Sequence, residues 1–145
     1  MNFFSRLGLG LKTPLIETFG TLVGESTEIH GRVVIKESIR IDGKVFGNIE
    51  TSNGLNVAVT VGTNGVVHGD ISAYRIEVSG KVDGNVNAIG TADLRATAEV
   101  IGDISYGFIS VHPGANLKGI VIRKSNSLNK DKNEPSIVKI GIEKR

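Results

Sequence analysis

The chain has 145 residues, enough for one domain and little more, and its lack of cysteine removes disulfides and thiolate metal sites and fits a reducing cytosol. With aromatics at 5% and no tryptophan, any core must be built from Val, Ile and Leu, and nineteen glycines against three prolines favour many tight corners over a low-complexity linker. The net charge of +2 is concentrated at the ends: residues 124–145 carry six basic and three acidic groups, whereas residues 21–123 carry nine basic and eleven acidic ones, so the central body has no basic stripe and is not expected to bind nucleic acid.

Residues 1–20 are apolar but aperiodic, and Pro14 with three glycines discourages a long helix there. They contain no apolar run near 18 residues and no small-x-small cleavage site, so they read neither as a membrane span nor as a cleavable signal.

From residue 21 to about 123 one phrase recurs six times: a small or variable residue, any, aliphatic, any, Gly, any, aliphatic. The copies occupy 27–33, 43–49, 65–71, 80–86, 98–104 and 115–121, with their central glycines at Gly31, Gly47, Gly69, Gly84, Gly102 and Gly119. The steps between these glycines are 16, 22, 15, 18 and 17 residues. That period is too short for helical repeats and suits one coil of a β-solenoid. Within a copy such as Ile29-His30-Gly31-Arg32-Val33, aliphatic residues alternate with mostly polar ones, the period-two signature of a strand with an inward and an outward face. Glycine on the inward parity suggests a bend where the interior has no room for Cβ.

Between the phrases lies a second motif, aliphatic-x-aliphatic, at 39–41, 59–61, 76–78, 94–96 and 109–111. Three short strands per coil around an aliphatic interior predict an all-β, triangular parallel β-helix of about six coils, roughly 30 Å long. The 22-residue step contains Ser52-Asn53-Gly54 and Thr63-Asn64-Gly65, turn residues that accommodate a bulged loop. Beyond Lys124 the composition changes to Ser, Asn, Lys and Asp, which reads as a solvated, disordered basic tail of 124–145. Ile137, Val138, Ile140 and Ile142 form an apolar island in that tail to which the sequence assigns no role.

A parallel solenoid leaves unpaired N–H and C=O groups and a cross-section of core at each end, and natural ones block them with a helix or loop. No amphipathic capping helix is legible here. The final coil is apolar at Phe108, Ile109, Val111, Leu117, Ile120, Val121 and Ile122, so those residues are the expected interface for end-to-end assembly, unless the tails fold over the ends.

The V-x-G-x-I phrase with its preceding small residue, the coil of about 17 residues, and Thr21-Leu22-Val23-Gly24 before the first coil resemble the bactofilins, bacterial cytoskeletal polymers, over residues 21–123. The resemblance implies a right-handed triangular β-helix that polymerises end to end without nucleotide. For many members it also implies attachment to the cytoplasmic face of the membrane through a short N-terminal peptide. Met1, Phe3, Phe4 and Leu7 beside Arg6 fit such a peptide, a small apolar cluster with one cation able to enter an anionic headgroup region. The competing role for Phe3 and Phe4 is to pack on the first coil as a cap.

Catalytic readings fare poorly. His30 and His68 share one outward repeat position two coils apart, about 10 Å, too far to share a zinc whose ligands lie about 2 Å from it. The hexapeptide acyltransferases, trimeric left-handed β-helix enzymes, are the alternative class. They need strict six-residue periodicity, whereas the aliphatics here run 39, 41, 45 and 49. Gly62-Thr63-Asn64-Gly65 lacks the lysine and following helix of a phosphate loop, and outward Asp70 and Asp103 read as solvated corners. Threonines do not align between coils as they would on an ice-binding face. The expectation is a non-enzymatic scaffold with no cofactor and no metal, whose partners are itself, membrane lipid through the N-terminus, and client proteins of cell shape or the envelope.

Overall fold

The computed structural model describes residues 18–52 and 54–124, together with the backbone of the strand Ile137–Val138. The chain winds through six coils, each with three short sides. Coil one holds β1 (Thr21–Val23), β2 (Glu28–His30) and β3 (Val33–Ile35), and coil two holds β4 (Ile39–Ile41), β5 (Lys44–Phe46) and β6 (Ile49–Thr51). Next come β7 (Ala58–Val61), β8 (Val66–His68), β9 (Ile71–Val78), β10 (Lys81–Asp83), β11 (Val86–Leu94), β12 (Glu99–Ile101) and β13 (Ile104–Tyr106). The last coil is β14 (Phe108–Val111), β15 (Asn116–Lys118) and β16 (Val121–Arg123), and β17 (Ile137–Val138) follows it. No helix occurs among the described residues, so none is long and apolar enough to cross a membrane.

Like sides stack in parallel. The second sides form a six-stranded sheet in the order β15-β12-β10-β8-β5-β2. The first and third sides merge into one eleven-stranded sheet, because β9 and β11 run unbroken around the corner between them. Register aligns the inward residues into continuous columns along the axis. One runs Ile29, Val45, Val67, Val82, Val100, Leu117. Another runs Val33, Ile49, Ile71, Val86, Ile104, Val121. In the middle coils these side chains are sealed: Val67, Ile71, Val82 and Val100 are all 0% exposed. Apolar burial thus repeats with every turn, and each coil is stabilised by its two neighbours.

The repeat glycines stand at the corner between the second and third sides, where the expected explanation needs correcting. The obstruction to a side chain is not the interior but the coil beneath. A Cβ on Gly69 would lie 2.1 Å from the carbonyl oxygen of Gly47, and one on Gly84 the same distance from that of Gly69. Their φ values of 155° add a conformation that L side chains rarely adopt. Gly31, at the start of the column, has nothing within 4 Å of its Cβ position among the described residues.

Coil length varies at the other two corners. Four coils turn from first to second side through a four-residue turn closed by an i to i+3 bond, such as Gly65 N–H to Gly62 C=O at 2.8 Å. The other two use the shorter Asp42-Gly43 and Ser79-Gly80. The widest coil has the long turn and also, between Thr51 and Ala58, residues outside any strand at Ser52 and at 54–57; Asn53, in the expected bulge, lies outside the described residues. One strand differs from expectation: the inward residues of coil five's first side are Ala92 and Leu94, not Leu94 and Ala96. A register shift between Ala88 and Thr91 in β11 inserts a residue at the preceding corner, and Ala96 falls in the next turn.

The glycine column makes a graded prediction. Gly69→Ala meets both the backbone clash and the φ restriction and should destabilise the fold by about 3–5 kcal/mol, whereas Gly31→Ala meets only the latter and should cost about 1–2 kcal/mol. Thermal unfolding of the two variants should therefore give Gly69→Ala the distinctly larger drop in Tm; equal drops would show that the stacked carbonyl is not what forbids the side chain.

Candidate assembly surfaces

With the interior filled, the surfaces available to other molecules are the three walls and the two ends. The outer side of the six-stranded wall carries His30, Phe46 and His68 in successive coils. The Phe46 ring stacks between the two imidazoles, 4.7 Å from His30 and 5.1 Å from His68. Glu28 lies 3.5 Å from His30, and Asp83 lies 3.6 Å from His68. An intervening ring keeps the histidines apart, and no group of three or more His, Asp or Glu side chains among the described residues is placed to hold a metal ion. The third histidine, His112, contacts Asp93 at 3.1 Å on another wall. That wall is a mixed-charge network in which Arg95 reaches both Glu77 and Asp93, at 3.4 and 3.6 Å.

Beside Gly47, Gly69, Gly84 and Gly102 the structure reveals a second column, unrecognised in the sequence. The Asn48 side-chain oxygen accepts the Asp70 N–H at 2.9 Å, Asp70 accepts the Asn85 N–H at 2.8 Å, and Asn85 accepts the Asp103 N–H at 3.0 Å. Asp103 then accepts from Ile120 at 3.1 Å. These side chains satisfy backbone donors that the corner removes from the strand ladder. Asp70 and Asp103, expected as solvated corners, are therefore structural acceptors. The sequence signal was present: Asn or Asp fills the position after the glycine in four consecutive copies. The column stops at Ile120, whose side chain cannot accept a bond.

The ends differ from the walls. Among the described residues β1, β2 and β3 have no strand on their outer edges at the N-terminal end, and β14 and β15 have none at the other. The seven expected interface residues all lie in the last coil, but they do not form one face. Ile109, Val111, Leu117 and Val121 sit in register with the inward residues Ala92, Leu94, Val100 and Ile104. Leu117 and Val121 are buried, while Ile109 and Val111 are only partly so, leaving a strip of open core. Phe108, Ile120 and Ile122 have the outward parity. Phe108 is 71% exposed and stands on the rim of the last coil, at the corner where Tyr74 and Ile89 are exposed in the coils below. The edge of β16 is paired with β17, the backbone of the apolar island. Met1, Phe3, Phe4, Arg6 and Leu7 lie outside the described residues.

The fold defines the class: a six-coil parallel β-solenoid with an apolar interior and, among the described residues, open strand edges at its ends. Comparison with known proteins specifies the family. Residues 21–121 match the family described as Bactofilin: Polymer-forming cytoskeletal, and the chain belongs to it. Over 101 residues, 70% of this chain, it is 35% identical to Bactofilin BacO of Myxococcus xanthus (strain DK1622), covering 77% of that protein. Over a stretch of the same length it is 33% identical to Bactofilin BacP of the same organism, covering 40% of it, so the chain spans less than half of that relative. No solved structure matches significantly.

The acceptor column can be separated from ordinary surface polarity. Asn85→Ala leaves the Asp103 N–H without its partner and should lower stability by about 1 kcal/mol. Asp83→Ala, two residues away and touching only exposed His68, should change it by less than about 0.5 kcal/mol. Chemical denaturation of the pair tests this, and amide exchange at Asp103 should quicken only in the first.

Proposed function

We propose that the protein is a non-enzymatic cytoskeletal scaffold that assembles end to end into filaments without a nucleotide, is held weakly at the cytoplasmic face of the membrane by its N-terminal peptide, and positions client proteins concerned with cell shape or the envelope. The observation that carries the reading is the state of the two ends among the described residues: no strand on the outer edges of β1, β2 and β3 or of β14 and β15, with partly exposed Ile109 and Val111 at the C-terminal end. An open parallel edge is a template for another chain, and head contacts repeated along one axis give a filament rather than a closed ring. Membership of a polymer-forming family supports the same conclusion. The interface residues proposed are Phe108, Ile109, Val111, Leu117, Ile120, Val121 and Ile122. The inward members supply the apolar cross-section, and Phe108 is the rim anchor that a neighbour would bury.

The membrane part of the reading rests on sequence chemistry. Phe3, Phe4 and Leu7 beside Arg6 provide a short insertion peptide of low individual affinity. A filament displays many copies at once, and multivalency turns weak anchors into stable attachment.

Two measurements check the proposal. Phe108→Arg alters a side chain that the fold leaves exposed, so the protein should stay folded with an unchanged Tm. Loss of this aromatic anchor should weaken end contact by about 2 kcal/mol, raising the critical concentration for sedimentable polymer about thirtyfold. Long filaments at the wild-type concentration, seen by negative-stain electron microscopy, would remove Phe108 from the interface. Replacing Phe3 and Phe4 together by Ser should abolish co-sedimentation with anionic liposomes while filaments persist; undiminished binding would defeat the anchor.

A further inference from the structure

Every strand pair within residues 21–123 is parallel, and the exception comes from outside the repeats. β17 lies antiparallel on the outer edge of β16, with Val138 opposite Val121 and Ile137 opposite Ile122. It is reached through residues 124–136, a polar stretch apart from Leu128 and Pro135. The Lys124 N–H donates to the Tyr106 carbonyl of the coil below at 2.7 Å. Since N–H groups alternate along a strand, those of Val121 and Arg123 face the opposite edge, the one that β17 takes.

We propose that β17 is an internal competitor for assembly: it occupies the β16 edge that an incoming copy must use, so that only chains with β17 unseated can add at this end. The inference rests on the end-to-end reading of function. Three features of the seat support it. β17 covers one side of the last coil, while among the described residues β14 and β15 have no strand on their outer edges, so β17 blocks this end only in part. Its antiparallel direction breaks the parallel order of the stack, and a strand of a second copy cannot pair with β16 until it leaves. The strand is two residues long, and thirteen residues of sequence separate it from β16, so few backbone bonds hold it. A short cis strand of this kind is displaceable by a neighbour that offers a whole coil, which makes it a threshold on assembly rather than a permanent cap.

The occupancy of the seat sets the apparent affinity at this end, because binding is weakened by the fraction of chains in the competent state. Val138→Pro removes the donor opposite Val121 and leaves residues 21–123 unaltered. Two readouts on the full chain decide the matter: the critical concentration by sedimentation, and hydrogen exchange of the Val121 and Arg123 amides below that concentration. Val138→Pro should lower the critical concentration by about tenfold and abolish protection of both amides in the unassembled chain. If the two amides exchange equally fast in wild type and variant, β17 is not seated and the proposal is overturned. If protection is lost but the critical concentration is unchanged or rises, β17 is a structural strand or part of the interface, and competition is again overturned. If neither protein forms sedimentable polymer at any concentration, the end-to-end reading fails and competition falls with it, while the exchange measurement still establishes whether the seat exists.

Discussion

The structure depends on how closely successive coils approach at the glycine corner. Strands that share backbone hydrogen bonds lie about 4.8 Å apart, and at this corner the chain turns so that the Cα hydrogen of each repeat glycine faces the carbonyl of the glycine beneath. The distances of 2.0–2.3 Å between would-be Cβ atoms and those carbonyls, from Gly47 through Gly119, leave no alternative residue. Once the corner is set, the rest of the coil is constrained. The residue after it must lend its backbone N–H to a side-chain acceptor, which is why Asn48, Asp70, Asn85 and Asp103 recur there. The residues on either side must alternate inward and outward with the aliphatics inside. The six-fold phrase is the sequence image of this one contact.

The same constraint divides freedom unequally between inside and outside. Inward columns hold almost entirely Val, Ile, Leu and Ala, with Tyr106 joining the core near the C-terminal end, because each side chain packs against those above and below as well as across the axis. Outward positions have no such restriction, and the equivalent site in the six coils holds His30, Phe46, His68, Asp83, Ile101 and Lys118. Their pairing is local: a ring stack in one stretch, exposed ion pairs in another, each of small energetic weight. Surface chemistry on the walls can therefore change without touching the fold, and the fold can be stable without any wall carrying a site.

What was legible in the sequence follows from which interactions have a period. Alternation and the recurrent glycine disclose the coils and the columns, since each depends on residue type at fixed spacing. Leu94-Arg95-Ala96 was misassigned because an irregularity in β11 adds one residue between Ala88 and Thr91; Gly90 lies within it, but a single glycine does not fix a register, which is settled by pairing with Ile76 and Val78 rather than by local composition. The acceptor column was visible as a repeated Asn or Asp but was read as solvation, because an outward polar residue looks the same whether or not a backbone N–H lies within reach. The seat of β17 had no local signal at all. Ile137 and Val138 are an ordinary apolar pair, and what makes them a strand is an edge left open more than a dozen residues earlier.

The two ends of the rod are chemically different, and this bears on how the molecule can meet its neighbours. At the N-terminal end Gly31 occupies the corner with nothing within 4 Å of its Cβ position among the described residues. At the other end the acceptor column terminates in Ile120, which offers no oxygen to a further backbone N–H, and the flanking exposed groups are Phe108 and the partly covered Ile109 and Val111. The side-chain acceptor column therefore cannot be continued at the C-terminal end, and a contact made there has the backbone edges of β14 and β15, open among the described residues, and apolar burial to draw on. Ile120 thus plays a double part: it receives the last stabilising bond of the column through its N–H, and its side chain converts a polar corner into part of an apolar rim.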